Sequence, residues 1–241
     1  MKRRAFEWGA WVWLALAIAL ALVQLSGLDS TLPRLGFDPV RVCFIGHELG
    51  WAQALYRGVP TAGWLMLLLA ALVWVVPRWR RRPAWRRASC AVWAVALVAN
   101  GLVIDLLLKE HWGRPRPRSV QAFGGPYAYY AVWEPAPTRI RNGSLPSGHA
   151  AAGFTLMAVG ALASRRRWHW ALGAGMVAGM VIGAARVLQG AHFPTDILVS
   201  GWVVLGTCLL LRRGWVWVRL RRWRRRTAAQ PAGWAGAADS G

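Results

Sequence analysis

Six stretches of the chain are dominated by apolar residues, and most are close to the ~20 residues that a helix needs to cross a bilayer. Short polar segments rich in arginine, glycine and proline separate them. This pattern predicts an all-α fold, a polytopic membrane bundle of about six helices. We expect the bundle to form one domain over residues 1–226, followed by a disordered tail at residues 227–241. The predicted spans cover residues 8–27, 60–77, 88–108, 147–163, 170–189 and 196–211.

The first apolar stretch follows Lys2, Arg3 and Arg4, an arrangement that also begins a signal peptide. Its length favours an uncleaved first helix instead. Residues 28–59 mix polar and apolar positions, and we expect them to form a loop that has room for a short interfacial helix.

Composition supports a membrane protein, since 56% of the residues are hydrophobic and only 16% are charged. The formal net charge of +21 first suggests a nucleic-acid partner. Most arginines directly flank apolar stretches, however, which favours a role in membrane topology and argues against nucleic acid. Twenty of the thirty lysines and arginines fall on one side of the predicted spans. The positive-inside rule then places both termini in the cytoplasm and the opposite loops outside.

No metal or cofactor site is expected from the sequence. Cys43, Cys90 and Cys208 are scattered without metal-like spacing, and a disulfide framework is improbable for them. His47 and Glu48 begin like a zinc-protease motif, but Trp51 occupies the position of the second histidine.

Cations gather at the ends of the predicted spans on the non-cytoplasmic side. Lys109, Arg116 and Arg186 suit the binding of a phosphoryl group, because fixed cations stabilise charge on its non-bridging oxygens. Arginine offers a planar fork to two oxygens, and lysine a compact point charge. Arg114 and Arg118 lie beside Arg116, and the sequence leaves open whether they join the site or are solvated loop charges.

Ser147, Gly148 and His149 begin the predicted fourth span directly after Pro146. Helix N-termini expose unpaired N–H groups that attract anions. Gly148 would let the backbone come close to a phosphate, and Ser147 can cap the helix or donate to the ligand. A serine at such a position is most often structural, but the histidine that follows it favours a phosphate site.

His192 and Asp196 are four residues apart, with Asp196 at the start of the last predicted span. A carboxylate that accepts one imidazole N–H fixes the tautomer and leaves the other nitrogen free to attack phosphorus. A lone histidine at a helix end is commonly just an interfacial polar residue. Ionisable groups at a membrane boundary are more often functional, and Arg186 lies nearby in sequence.

Together these residues resemble the three-part motif of the type 2 phosphatidic acid phosphatase superfamily. The three parts occur in order: Lys109 with Arg116-Pro117, then Pro146-Ser147-Gly148-His149, then Arg186 with His192 and Asp196. That superfamily includes membrane lipid phosphate phosphatases, soluble acid phosphatases and vanadium haloperoxidases. One position departs from the family pattern, since Ala185 stands where a serine usually precedes the arginine.

The resemblance implies a metal-independent phosphatase of the bacterial inner membrane that works through a phosphohistidine. His192 would be the nucleophile, Asp196 would orient it, and His149 would protonate the leaving oxygen and then activate water. The phosphoryl oxygens would be bound by Lys109, Arg116, Ser147, Gly148 and Arg186.

The partners implied are a lipid phosphate substrate and membrane lipids. A polyprenyl diphosphate or lipid A is favoured, with phosphatidylglycerol phosphate and phosphatidic acid as further candidates.

Three alternatives to hydrolysis remain on sequence grounds. A phosphotransferase would use the same residues with a second lipid in place of water. A non-catalytic anion or lipid transporter could line its path with arginines, but it gives no reason for the two histidines and the aspartate. A haloperoxidase is disfavoured by the hydrophobic frame. The aromatic segment 123–133 could cover the site or pack against the membrane.

Overall fold

The structure is a computed structural model that describes residues 3–137, 140 and 142–228. Residues 229–241, most of the tail predicted to be disordered, lie outside the described residues. The described helices are α1 (Arg3–Leu25), α2 (Leu28–Thr31), α3 (Gly50–Val75), α4 (Pro77–Arg80), α5 (Pro83–Val95), α6 (Glu110–Trp112), α7 (Gly148–Phe154), α8 (Ala158–Ala161), α9 (Arg165–Leu188) and α10 (Pro194–Ala228). The segment Ala96–Lys109 continues α5 with the wider hydrogen bonding of a π-helix.

The expected all-α polytopic bundle is confirmed. Five helical segments among the described residues are long and apolar enough to cross a membrane. They are α1, α3, the continuous segment that starts with α5, α9 and α10. Helix α10 does not stop at residue 211 as predicted but continues through the arginine-rich segment to Ala228.

The predicted fourth span is the exception, because residues 148–161 form a shorter, interrupted helix. The tight turn Thr155–Met157 separates α7 from α8. The Thr155 hydroxyl donates to the Ala151 carbonyl at 2.8 Å, a contact that tends to bend a helix. At 1.5 Å per residue this segment reaches about 21 Å, less than the roughly 30 Å of a bilayer core. Ala150, Phe154 and Met157 are fully buried, so this face of the segment is covered by protein, while Leu156 and Val159 on the opposite face are 40% and 47% exposed.

Close packing around α7 depends on glycines of the neighbouring helices. Phe154 lies against Gly179 of α9, where an added Cβ would come within 2.3 Å of its ring. A Cβ added to Gly201 of α10 would likewise lie 3.0 Å from the same ring. Small residues let helix backbones approach closely, and here they admit one aromatic ring into the centre of the bundle.

Residues 28–49 form a compact cap at one end of the bundle. Helix α2 is followed by a tight turn (Leu32–Gly36), the two-stranded antiparallel hairpin β1 (Phe37–Asp38) and β2 (Cys43–Phe44), and a second tight turn (Ile45–His47). At Gly46 an added Cβ would lie 2.5 Å from the Leu188 carbonyl carbon. The turn that follows the hairpin therefore rests directly on the end of α9.

The long loop before α7 packs onto this cap. Phe123 contacts Phe37 and Phe44, with ring centroids 5.1 and 5.2 Å apart. Val120 and Phe193 complete the buried cluster. The sequence left open whether the aromatic segment covers the site or packs against the membrane. Phe123 does neither, because it anchors the loop to the hairpin and to the turn that carries His192.

Candidate active site

His192 lies in the turn between α9 and α10 and is only 3% exposed. Its Nδ1 lies 2.6 Å from the Ser144 carbonyl oxygen. A carbonyl can only accept, so Nδ1 carries the hydrogen and Nε2 keeps the lone pair. The sequence led us to expect Asp196 as the acceptor, but its Oδ2 is 3.7 Å from Nδ1, beyond hydrogen-bond length. Ser144 holds the ring, and Asp196 acts on it as a nearby charge.

Asp196 organises the start of α10. Its Oδ2 accepts the Phe193 N–H at 2.7 Å, which closes a capping interaction at the helix N-terminus, and Pro194 occupies the first helical position. Its Oδ1 accepts from Arg114 Nη1 at 2.6 Å. The carboxylate is fully buried, so its negative charge is balanced by Arg114 within the protein.

Arg114 is the central cation of a buried network. Its side chain is fully buried and pairs with Asp29 as well as with Asp196, each at 2.6 Å. It also donates to the Thr195 hydroxyl at 2.9 Å. The sequence left open whether Arg114 and Arg118 join the site or are solvated loop charges. In the structure Arg114 is buried, whereas Arg118 is exposed.

Asp29 and Tyr129 complete this network from distant parts of the chain. Asp29 accepts the Thr195 N–H at 2.8 Å and the Tyr129 hydroxyl at 2.9 Å. Gln24 donates to the same hydroxyl at 2.9 Å. Burial, with the Asp29 charge, raises the pKa of Tyr129 to about 12, so the phenol stays a hydrogen-bond donor. The long loop is thereby tied to α1, α2 and α10.

Positive charges surround the histidine turn. Burial lowers the pKa of His192 below its ordinary value, and the nearby charges of Arg186 and Arg116 act in the same direction, against Asp196. The lowered pKa favours the neutral imidazole. Arg116 is partly buried and donates to the Asn142 carbonyl at 3.1 Å.

Lys109 and Arg186 approach the site from two helix ends. The Lys109 Nζ is 3.8 Å from the point where a Cβ on Gly148 would lie, and 3.9 Å from Asp105. Arg186, 5% exposed, pairs with Gln189, whose amide donates to the Gly46 carbonyl at 3.3 Å. The cap therefore holds Arg186 in position through Gln189.

Ser147 caps α7, which is one of the two roles that the sequence left open for it. Its hydroxyl accepts the Ala150 N–H at 3.4 Å. Its own N–H is 2.9 Å from the hydroxyl oxygen of Ser200, whose hydrogen is directed to the Asp196 carbonyl at 2.8 Å. The start of α7 is thus bonded to the start of α10, which brings the second and third parts of the motif together.

His149 meets a residue that the motif analysis did not single out. Its ring stacks on Tyr56 of α3, with centroids 5.3 Å apart and planes 22° from parallel. Its Nε2 lies 3.3 Å from the Tyr56 carbonyl oxygen. The Arg186 guanidinium lies over the same Tyr56 ring, 4.6 Å from its centroid.

The structure gathers the predicted residues at one end of the bundle, drawn from four separate segments. The sequence analysis missed Asp29, Tyr56 and Ser144, left Arg114 undecided, and placed Tyr129 only within an aromatic segment that could cover the site. An isolated acid just after an apolar span was the one available signal for Asp29. Ser144 contributes a backbone carbonyl, for which no residue type gives a signal. Within the described residues there is no group of three or more His, Cys, Asp or Glu side chains that could hold a metal ion.

Fold and site together define a polytopic helical membrane protein with two histidines and several cations at one end of the bundle. The sequence model of the PAP2 superfamily matches residues 88–225, more than half of the chain. The protein belongs to the PAP2 superfamily, which confirms the resemblance drawn from the motifs. Tyr56 and Asp29 lie outside the matched segment.

The most similar relatives found include three bacterial proteins, each named lipid A 4'-phosphatase. The protein of Francisella tularensis subsp. novicida is 34% identical over 128 residues, which cover 50% of this chain and 58% of the relative. The Rhizobium leguminosarum protein is 33% identical over 108 residues, which cover 44% of this chain and 46% of the relative. The Rhizobium etli protein is 32% identical over 108 residues, which cover 44% of this chain and 41% of the relative. The chain thus matches about half the length of these relatives. No solved structure matches it.

Proposed function

We propose that the protein is a lipid phosphate phosphatase that works through a phosphohistidine on His192. The observation that carries the proposal is the Ser144 carbonyl on Nδ1, which leaves the Nε2 lone pair of a neutral imidazole among the cations of the site. A neutral, oriented imidazole is a competent nucleophile, and the cations lower the repulsion between it and an anionic phosphate.

The reaction proceeds in two steps. In the first, the His192 Nε2 lone pair attacks phosphorus, the bond to the lipid oxygen breaks, and His149 gives a proton to that oxygen. In the second, His149 accepts a proton from water, the water oxygen attacks phosphorus, and the P–N bond breaks to release phosphate. Lys109, Arg116 and Arg186, with Ser147 and Gly148, bind the phosphoryl oxygens throughout. Asp196 and Arg114 keep the histidine turn in place.

A cavity beside the site supports a lipid substrate. It has a volume of about 840 Å³ and is lined almost entirely by apolar residues. Val59, Gly153 and Ile182 line it, and each lies about one helical turn from a site residue: Tyr56, His149 and Arg186. A chain of hydrocarbon in this cavity would begin about one helical turn, roughly 5 Å, from these site residues.

Lipid A phosphate is the substrate that we favour among the candidates. The three relatives reported above are each named lipid A 4'-phosphatase. Polyprenyl diphosphate, phosphatidylglycerol phosphate and phosphatidic acid are the other substrates to be compared. The apolar helices and the bacterial relatives support a location in the bacterial inner membrane. With residues 148–161 as a sixth crossing, the positive-inside rule supports both termini in the cytoplasm and the site facing outward.

The decisive experiment is phosphate release by the purified protein from these four lipids in mixed micelles, with the His192→Ala protein as control. Release that depends on His192 and is fastest with lipid A supports the proposal. Transfer of labelled phosphate to a second lipid without net release would identify a phosphotransferase. No release and no transfer with any lipid would refute the enzymatic assignment.

A further inference from the structure

Pro60 lies inside α3, one turn after Tyr56. In a regular helix the N–H of residue 60 would donate to the carbonyl of residue 56. Proline has no N–H, and its ring pushes against that carbonyl. The Tyr56 carbonyl is therefore released from the helix ladder and can accept a hydrogen bond from outside it.

His149 supplies that outside donor, since its Nε2 is 3.3 Å from the Tyr56 carbonyl oxygen. A carbonyl accepts and never donates, so the contact makes Nε2 the nitrogen that carries hydrogen. Proton exchange with a ligand then falls to Nδ1. The tautomer of His149 is thus selected by a backbone atom that the proline exposes.

The Tyr56 side chain adds a second constraint. His149 stacks on the ring, with planes 22° from parallel, and the Arg186 guanidinium lies over it at 4.6 Å. Stacking and cation–π contacts of this kind hold planar groups in a defined orientation. One residue of α3 therefore contacts both a predicted proton-transfer group and a predicted phosphate ligand.

We propose that Tyr56 and Pro60 are positioning residues: the freed carbonyl and the ring of Tyr56 orient His149 so that its Nδ1 transfers the proton to the leaving oxygen. The inference rests on the proposed phosphatase function. Neither residue touches the phosphate in this scheme; they act through His149, and Tyr56 also acts through Arg186. Both lie outside the segment matched by the PAP2 superfamily.

The first test is Pro60→Ala, which restores an N–H that can bond to the Tyr56 carbonyl and draw it back into the helix. The kcat/KM for the lipid phosphate hydrolysed fastest in the panel is compared with that for p-nitrophenyl phosphate. The nitrophenolate leaves without needing a proton, and kcat/KM reports the reaction through leaving-group departure, whichever later step limits kcat.

We expect the lipid-to-nitrophenyl ratio of kcat/KM to fall at least about tenfold in Pro60→Ala, part of the roughly 10²–10⁴ that acid–base catalysis contributes. The matched control is Pro83→Ala, at the first turn of α5, where proline replaces no helical hydrogen bond. The control should keep the wild-type ratio. Circular dichroism and thermal unfolding verify that both variants are folded.

The second test replaces the ring. Tyr56→Leu should lower the same ratio and also raise KM for both substrates, because Arg186 loses its contact. Tyr56→Phe keeps the ring, so its ratio and its KM values should stay close to those of the wild type. Trp64→Leu, an aromatic replacement at a 73% exposed position of α3, is the control and should change neither.

If Pro60→Ala lowers kcat/KM equally for both substrates, or for neither, the inference is overturned. The phosphatase proposal still stands in that case, because it depends on turnover by the wild-type protein. A wild-type protein that cleaves no substrate would overturn both.

Discussion

Replacing Arg114 by methionine tests the buried network most directly. Methionine keeps much of the side-chain volume but removes the charge and five donors. Two buried carboxylates, Asp29 and Asp196, would each lose an ion pair of 2.6 Å. Removing one partner of a buried pair typically costs about 3–5 kcal/mol, because the remaining charge stays uncompensated. With two carboxylates affected, the lower bound for Arg114→Met is about 3 kcal/mol.

The loss can be measured as thermal unfolding of the detergent-purified protein. For chains of 150–250 residues, 1 kcal/mol corresponds to about 2–4 °C, so we expect the Tm to fall by at least roughly 6 °C. Arg118→Met is the matched control, since Arg118 is exposed and lies four residues away in the same loop. Its Tm should stay within about 1–2 °C of wild type, in keeping with the ±0.5 kcal/mol typical of surface substitutions.

A double variant separates charge balance from packing. Adding Asp29→Asn to Arg114→Met removes one of the two unpaired carboxylates, so the pair of changes should destabilise less than the sum of the two single changes. A Tm loss under about 2 °C for Arg114→Met, or strictly additive effects in the double variant, would refute the role of Arg114 as the buried counter-charge.

Four further predictions concern the chemistry and the topology. His192→Ala should abolish phosphoenzyme formation and turnover, while His149→Ala should slow leaving-group departure and dephosphorylation by roughly 10²–10⁴; full activity of either folded variant in phosphate release would contradict these roles. Activity should persist in EDTA and fall with vanadate, which mimics the five-coordinate phosphoryl centre; a loss in EDTA that a divalent ion restores would argue for a metal. Burial lowers the pKa of His192, so this nucleophile should still be neutral at pH values somewhat below about 6.5, the ordinary pKa of histidine. The fall of kcat/KM at acid pH, corrected for titration of the substrate, should therefore have its midpoint below pH 6.5, and a midpoint above 6.5 would contradict this. In a cysteine-free background, Val40→Cys, in the exposed hairpin, should react with a membrane-impermeant thiol reagent from outside and Arg166→Cys should not; the reverse pattern would invert the proposed topology.

The helical class and the motif residues could be derived from the sequence because both are local properties. An apolar stretch of ~20 residues has few folded alternatives to a membrane helix, since its backbone must bond internally. The motif residues lie at the ends of such stretches, and helices that cross the same bilayer bring their ends to the same two surfaces. Lys109, His149, Arg186 and His192 could therefore be expected near one another before any tertiary contact was known.

The interrupted helix at residues 148–161 shows where that reasoning ends. Its composition is as apolar as that of a lipid-facing span, but one face of it packs against α5, α9 and α10. Hydropathy does not distinguish a helix buried in protein from one buried in lipid, because both environments exclude water. Only the packing of Phe154 between glycines of two other helices determines its place.

The contacts that orient the site were likewise decided by tertiary structure. Arg114 and Arg118 are both arginines of the same loop, yet only Arg114 meets Asp29, which lies 85 positions away. The nitrogen of His192 that carries hydrogen depends on the Ser144 carbonyl, and that of His149 on the Tyr56 carbonyl. Backbone carbonyls are present at every residue, so the sequence holds no sign of which one a side chain will meet. The residue types of the site are thus a property of the sequence, and their protonation and orientation are a property of the fold.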